Sequence, residues 1–349
     1  MIVPQPNNPD QATKMRLSLT LLQKISGAWI SQAIYVAAKL GIADLLKDGA
    51  KSSEALAKAT DVDPDSLYRV LRALASIGLF AERENRHFEL TPLAEYLQSD
   101  IPGSMRAIAL MFGSEEWRWQ PWGDILYSVK TGKPSFDHVF GMPVFAYLAQ
   151  NPEAAAIFSE AMTSFTVMFS DAVIAAYDFS SIKTLVDVGG GQGSFLAAIL
   201  KANPTLKGIV YDLPTVIAGA KPQIEASGLE GRCDMIAGDF FESVPAGADA
   251  YILKSVIHDW DDEHAIAILK NCHPAMTENG RLLLIENVLP SGNAPSFGKF
   301  LDLEMLLITP GGRERTEAEF RNLFEAAGFN LTKITPTQSQ LSVIEGVKA

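Results

Sequence analysis

The segment Asp187-Val188-Gly189-Gly190-Gly191-Gln192-Gly193 constrains this chain more than any other. It follows the apolar run KTLV and precedes the helix-forming run SFLAAILKANP. Glycines let a strand turn sharply into a helix and let a ligand approach the backbone. Beyond this turn, strand-like and helix-like segments alternate: LKGIVYDLP, TVIAGAKPQIEASG, CDMIAGDFF, ADAYILKSV, DDEHAIAILKNCHPAM and GRLLLIENVLP. That alternation predicts a Rossmann-like α/β domain, a parallel sheet with helices on both faces. A helix EAEFRNLFEAAG capped by Thr316 follows, and FNLTKITPT and QLSVIEGV close the chain as a hairpin.

The glycine spacing is informative. A dinucleotide fingerprint G-x-G-x-x-G/A fails, because Ser194 holds its last position when counted from Gly189. Asp187, Gly189, Gly191 and Gly193 instead fit D/E-x-G-x-G-x-G, a pattern typical of S-adenosylmethionine sites, where no pyrophosphate is cradled. Asp212, twenty-three residues after Gly189, ends the next strand and suits ribose hydroxyls. Asp239 ends the third strand and suits an adenine amino group, with Phe240 placed to stack on the ring. His258 follows the fourth strand, and imidazole accepts protons near neutral pH. Glu286, ending strand IEN, and Glu314, in GGRERT, are carboxylates able to orient that ring. No metal is expected: Asp259, Asp261 and Asp262 lie too close in sequence to converge, and the last two look like helix-start residues.

Upstream, residues 17–47 carry Leu21, Leu22, Ile25, Trp29, Ala33, Val36, Ala37 and Leu40 at helical spacing, interrupted at Gly41. Ser52 or Ser53 reads as an N-cap, and Pro64 and Gly78 as a helix start and end. FAERENRHFEL reads as two short strands, which completes the order of a winged helix. A nucleic-acid partner is not expected. The chain has 41 Asp and Glu against 29 Lys and Arg, a net charge of -12, and phosphate binding needs the opposite balance. The same acidity disfavours an anionic membrane surface. The helix over 17–40 bears more apolar surface than so small a module buries, so oligomerisation through it is expected. Residues 104–178 read as helical and rich in aromatics and methionine, and some of these side chains are expected to wall an apolar pocket. Met162, Phe165, Met305 and Ile308 are the candidates. Cys233 and Cys272 read as buried core thiols. The first 14 residues are expected to be flexible. Charges interrupt every apolar stretch before it reaches the roughly 20 residues of a membrane span, so a cytoplasmic setting is expected.

Taken in order, DVGGGQG, YDLP, GDFF, LKSVIHDW, IENVLP and GGRERT resemble the caffeic-acid-type O-methyltransferases, whose bacterial relatives act on secondary metabolites. The resemblance covers nearly the whole chain. It implies a class I methyltransferase fold and a homodimer held by interleaved N-terminal helices. It implies His258 as general base flanked by Glu286 and Glu314, with Gly189, Gly191, Asp212, Asp239, Phe240 and Lys254 at cofactor positions. On this reading residues 1–100 form a winged-helix-like dimerisation domain, 101–178 a helical linker contributing to the pocket, and 179–349 the cofactor domain. The expected reaction is methyl transfer from S-adenosylmethionine to a hydroxyl of a small aromatic molecule. Two alternatives stay open: decarboxylation or hydroxylation of a polyketide-like substrate by a relative that keeps the cofactor, and a DNA-binding sensor of it.

Overall fold

The computed structural model describes residues 9–114 and 116–349. The chain divides into two compact units, Met1–Trp119 with Ala156–Ser164, and Gln120–Ala155 with Phe165–Ala349.

In the first unit the expected helix over 17–40 is two helices, Pro9–Ile25 and Gly27–Lys39. The break falls at Ser26, whose hydroxyl donates to the Leu22 carbonyl at 2.9 Å. Such a side chain competes with helical backbone bonding. Of the N-terminal stretch expected to be flexible, residues 1–8 lie outside the described residues and 9–14 are helical. Gly41 takes a left-handed φ of 62° and redirects the chain into Ile42–Leu46.

Strand Lys51–Ser52, helices Ser53–Thr60 and Pro64–Ala75, and strands Phe80–Arg83 and His87–Leu90 complete a winged-helix-like module. His87–Leu90 is the central strand of its antiparallel sheet. Ser52 accepts from the Ala55 N–H and Asp63 from the Ser66 N–H, so both helix starts are capped by side chains. The second helix ends at Ala75, three residues before the expected stop at Gly78. Leu56, Leu67, Leu71, Leu74, Phe80 and Phe88 fill the core beneath. Leu21, Leu22, Ile25 and Trp29 are exposed instead, Trp29 at 75%.

The second unit is built on a seven-stranded sheet. Its strands are β1 (Thr184–Val188), β2 (Lys207–Asp212), β3 (Cys233–Ala237), β4 (Ala250–Lys254), β5 (Arg281–Glu286), β6 (Phe329–Pro336) and β7 (Ser342–Lys348). They lie in the order β6-β7-β5-β4-β1-β2-β3. β1 to β5 run parallel, while β7 pairs antiparallel with both β5 and β6.

Successive residues of a strand face opposite sides of the sheet. Val186, Leu282 and Leu284 accordingly pack with helices Asp262–Ala275 and Glu317–Ala326 in one core. Leu185, Leu283 and Ile285 pack with helix Ser194–Ala202 in the other. Both faces are apolar, which explains why these strands read as unbroken hydrophobic runs. Chain order reverses between β1 and β4, and open α/β sheets bind ligands beyond the strand ends at such a switch point.

Helix Pro152–Ala176 contributes to both units. By length and composition alone it qualifies as a membrane span, despite the charges of Glu160 and Asp171. Glu153, Glu160 and Asp171 interrupt it, so no charge-free run within it reaches the length of a span, as expected.

Gly193 caps helix Ser194–Ala202 with φ 79°, and a Cβ there would stand 2.9 Å from Val210 Cγ2. Gly193→Ala should therefore cost at least about 1–2 kcal/mol for the left-handed backbone alone. The check is a lowered urea midpoint with an unchanged slope.

Candidate active site

Four loops leave the carboxyl ends of β1, β2, β3 and β4, and each carries residues singled out from the sequence. The first is the glycine turn, where Gly189, Gly191 and Gly193 have φ of 71°, 60° and 79°. A Cβ at Gly191 would meet nothing within 4 Å, so the turn presents open backbone. Behind it Asp187 is almost fully buried, and its Oδ2 has no hydrogen-bond partner among the described residues. Burial pushes this carboxyl up to about 7, opposed by the charge of Lys254 and reinforced by Asp212. Lys254, at the end of β4, is pulled down by burial and held up by Asp187 and Glu286.

On the second loop, Asp212 accepts the Gly191 N–H on Oδ2 at 2.8 Å and the Leu213 N–H on Oδ1 at 2.7 Å. Each oxygen keeps a further lone pair for a hydroxyl donor. On the third, Asp239 accepts the Phe241 N–H at 2.8 Å. The Phe240 ring edge lies 3.7 Å from where a Gly189 Cβ would be. Asp187 lies against the glycine turn, Asp212 bonds to it, and Asp239 stands on the loop that brings Phe240 towards Gly189. Together they favour a ligand bearing an ammonium and hydroxyls. The amino-acid and ribose ends of S-adenosylmethionine are such groups, so the residues present fit that cofactor.

The fourth loop begins at Ser255, which has a left-handed φ of 54°, and continues as a short 3₁₀ turn, Ile257–Asp259. Glu286 Oε1 accepts the N–H groups of Val256 and Ile257 at 3.1 and 2.9 Å, fixing the turn to the end of β5. His258 Nδ1 lies 2.8 Å from Glu314 Oε1 and 3.7 Å from Glu286 Oε2. Both glutamates are essentially fully buried, and their second oxygens have no hydrogen-bond partner among the described residues. An acceptor carboxylate at Nδ1 places the proton there and leaves Nε2 as the basic nitrogen. Burial by itself lowers the His258 pKa. The charges of Glu286 and Asp259 and the bond to Glu314 outweigh it and raise the value to about 10. Burial pushes Glu286 up to about 7, against the pull of His258.

His258, Glu286 and Glu314 also bring three ligand atoms within 4.8 Å of one another. At 2.8 Å, however, ring and carboxylate are hydrogen-bonded to each other, closer than the about 3.3 Å that separates neighbouring ligands around zinc.

Of the pocket candidates, Met305 and Ile308 are buried on helix Gly298–Ile308. Phe165 stacks on Phe169 with ring centroids 6.1 Å apart. Met162 lies on helix Pro152–Ala176 in the stretch that belongs to the other unit. Sequence reasoning missed two groups on this side. Glu304, buried on the same helix, accepts the Trp122 indole N–H at 2.6 Å. Asp302 accepts the Glu314 N–H at 2.9 Å. Two carboxylates spaced through the apolar run LDLEMLLI were the signal that pointed to both.

Comparison with known proteins follows the same division. A family model for an O-methyltransferase domain matches residues 122–330, and one for an O-methyltransferase dimerisation domain matches 22–100. The phenazine O-methyltransferase PhzM of Lysobacter antibioticus is 48% identical, covering 96% of this chain and 98% of that one. A phenazine-1-carboxylate N-methyltransferase of Pseudomonas aeruginosa is 30% identical, covering 94% and 97%. The crystal structure of LaPhzM superposes with a TM-score of 0.91 at 47% identity, covering 95% and 99%. NcsB1, an O-methyltransferase from neocarzinostatin biosynthesis in complex with S-adenosylmethionine and 2-hydroxy-5-methyl naphthoic acid, has a TM-score of 0.78 at 33% identity, covering 92% and 96%.

The raised pKa of His258 links its ring to stability. Its contribution is fully present below the ordinary value of 6.5 and is lost as pH rises through about 10. The ligand-free protein should therefore lose thermal stability between pH 6.5 and 10, with a shallower fall in His258→Gln. Parallel melting curves for the two would contradict the pairing.

Proposed function

The chain belongs to the O-methyltransferase family, whose catalytic and dimerisation domains it carries in that family's order. From this premise we propose that it methylates a phenolic hydroxyl of a small aromatic metabolite, with His258 as the general base. It is an S-adenosylmethionine-dependent O-methyltransferase, and enzymes of this family need no metal. The observation that carries the proposal is the His258–Glu314–Glu286 cluster at the switch point of the sheet, next to the glycine turn.

Bound S-adenosylmethionine supplies a methyl already activated on a sulfonium, whose positive charge disfavours a neighbouring imidazolium. The chain's own groups do the rest. Asp212 takes the ribose hydroxyls, Asp239 the adenine amino group, and Phe240 stacks on the ring. Gly189 and Gly191 let the cofactor approach the backbone, and Asp187 with Lys254 sets the charge beneath it. His258 accepts the hydroxyl proton on Nε2, and Glu314 holds the opposite nitrogen. Glu286 fixes the turn and balances the ring's charge. Phe165, Met305 and Ile308 wall the acceptor pocket. A phenol suits this machinery, because it ionises near pKa 10 and an aliphatic alcohol does not. The nearness of the phenazine enzyme favours a fused-ring acceptor.

Residues 1–100 serve as the dimerisation domain, 101–178 as the linker that helps form the pocket, and 179–349 as the cofactor domain. Cys233 and Cys272 are unpaired and buried, which fits the reducing cytoplasm.

His258→Ala should lower kcat by about two to four orders of magnitude, the usual span of a general base. The loss should shrink at higher pH and with more acidic phenols, where phenolate forms unaided. Turnover of hydroxylated phenazines and naphthoates, followed by mass spectrometry and S-adenosylhomocysteine release, provides the assay. Near wild-type turnover in the variant would sink the base assignment. A product methylated on nitrogen would move the reading to an N-methyltransferase, and a product without a new methyl to the decarboxylation or hydroxylation alternative.

The exposed Leu21, Leu22, Ile25 and Trp29 support a homodimer formed through the N-terminal helices. Ile25→Glu with Trp29→Glu should convert a dimer to a monomer in light scattering. A wild type that is already monomeric at micromolar concentration would refute this.

A further inference from the structure

Arg315 is among the largest fully buried side chains, and no part of the reaction described above uses it. An arginine buried without compensation is very costly, so its partners indicate what it is for. Nη1 donates to the Ile257 carbonyl at 2.9 Å and to the Arg313 carbonyl at 3.3 Å. Nη2 donates to the Trp260 carbonyl at 2.8 Å and to Asp262 Oδ1 at 2.8 Å, and Nε donates to the same oxygen at 3.0 Å. The fork has five N–H donors, and five bonds use them.

Two of those bonds go to carbonyls on either side of His258, at Ile257 and Trp260. A third partner, Asp262, begins the helix that follows. The residue before Arg315 is Glu314, which holds His258 Nδ1. One dipeptide therefore grips the imidazole through one side chain and its backbone through the next. Gly312 completes the contact: a Cβ there would lie 2.6 Å from the His258 carbonyl oxygen, so the two backbones are in direct apposition.

We propose that Arg315 is the positioning residue of the catalytic histidine, holding the 257–260 turn so that His258 stays in register with Glu314 and Glu286. This rests on His258 being the base. A helix and two sheet loops meet here, and rigid packing alone would have been served by an apolar side chain at lower desolvation cost. The planar fork is what allows two carbonyls and a carboxylate to be fixed at once. Lysine, with a single point donor, cannot replace it.

The test is the titration of His258 in the full-length protein labelled with carbon-13 histidine, its signal assigned by its absence in His258→Gln. Removing a nearby guanidinium charge would by itself move the midpoint up. Loss of register with the two glutamates moves it down. Arg315→Met and Arg315→Lys should lower the midpoint by about one unit or more. In turnover, kcat should fall about 10- to 100-fold with the KM for S-adenosylmethionine unchanged. Should Arg315→Met fail to fold, Arg315→Lys, which keeps the charge, gives the same reading. An unmoved or raised midpoint, with or without lower thermal stability, would overturn the proposal and leave Arg315 a structural residue. A wild-type-like His258→Ala would instead end the base assignment, and the titration would still report whether Arg315 sets the ring.

Discussion

The pairing of buried charges at the carboxyl edge of the sheet is the constraint on which the rest of the second unit depends. Asp187, Glu286, Glu314, Lys254, His258 and Arg315 are all drawn out of water there. Each alone would cost several kcal/mol, and none is affordable without the others. Their arrangement is complementary: Lys254 stands against Asp187 and Glu286, and His258 against Glu286 and Glu314. One oxygen each of Asp187, Glu286 and Glu314 has no hydrogen-bond partner among the described residues, which supports the proposal that this edge binds ligands.

The sheet supplies the rigidity such a cluster needs. β1, β4 and β5 are covered by apolar helices on both faces, and Leu282 to Ile285 alternate between the two cores. A displacement at the edge would have to disturb both. The proposed site lies where the packing ends, at the turns after the strands, and Ser255 takes a left-handed backbone there. Strain of that kind persists only where the surroundings over-determine it. Here the Val256 and Ile257 N–H bonds to Glu286 do so.

Charge also separates this site from a dinucleotide site of related topology. A carboxylate at the end of the second strand is common to both, but the buried Asp187 beneath the glycine turn disfavours a pyrophosphate there. The same switch-point geometry therefore serves a cationic ligand, and the histidine cluster beside it is poised by the field of its neighbours. In the ligand-free protein that field favours the imidazolium, so the proton-accepting form depends on what occupies the site.

Much of this was legible in the sequence. The glycine turn, the alternation of strand and helix, and the placement of Asp212, Asp239, His258 and Glu286 at strand ends follow from local pattern, because strand period and turn chemistry are properties of neighbouring residues. The helix break at Ser26 was not legible, since a serine in a helix reads as neutral until its hydroxyl is seen bonding to Leu22. Nor were the Trp122–Glu304 bond, the support of Glu314 by Asp302 or the grip of Arg315 on the His258 turn. Those partners lie 182, 12 and up to 58 residues apart. The sequence by itself determined the layers, the ligand edge and the residue types available for chemistry. Only the tertiary structure decided which buried charge faces which, because desolvation and pairing depend on distances that local sequence does not contain.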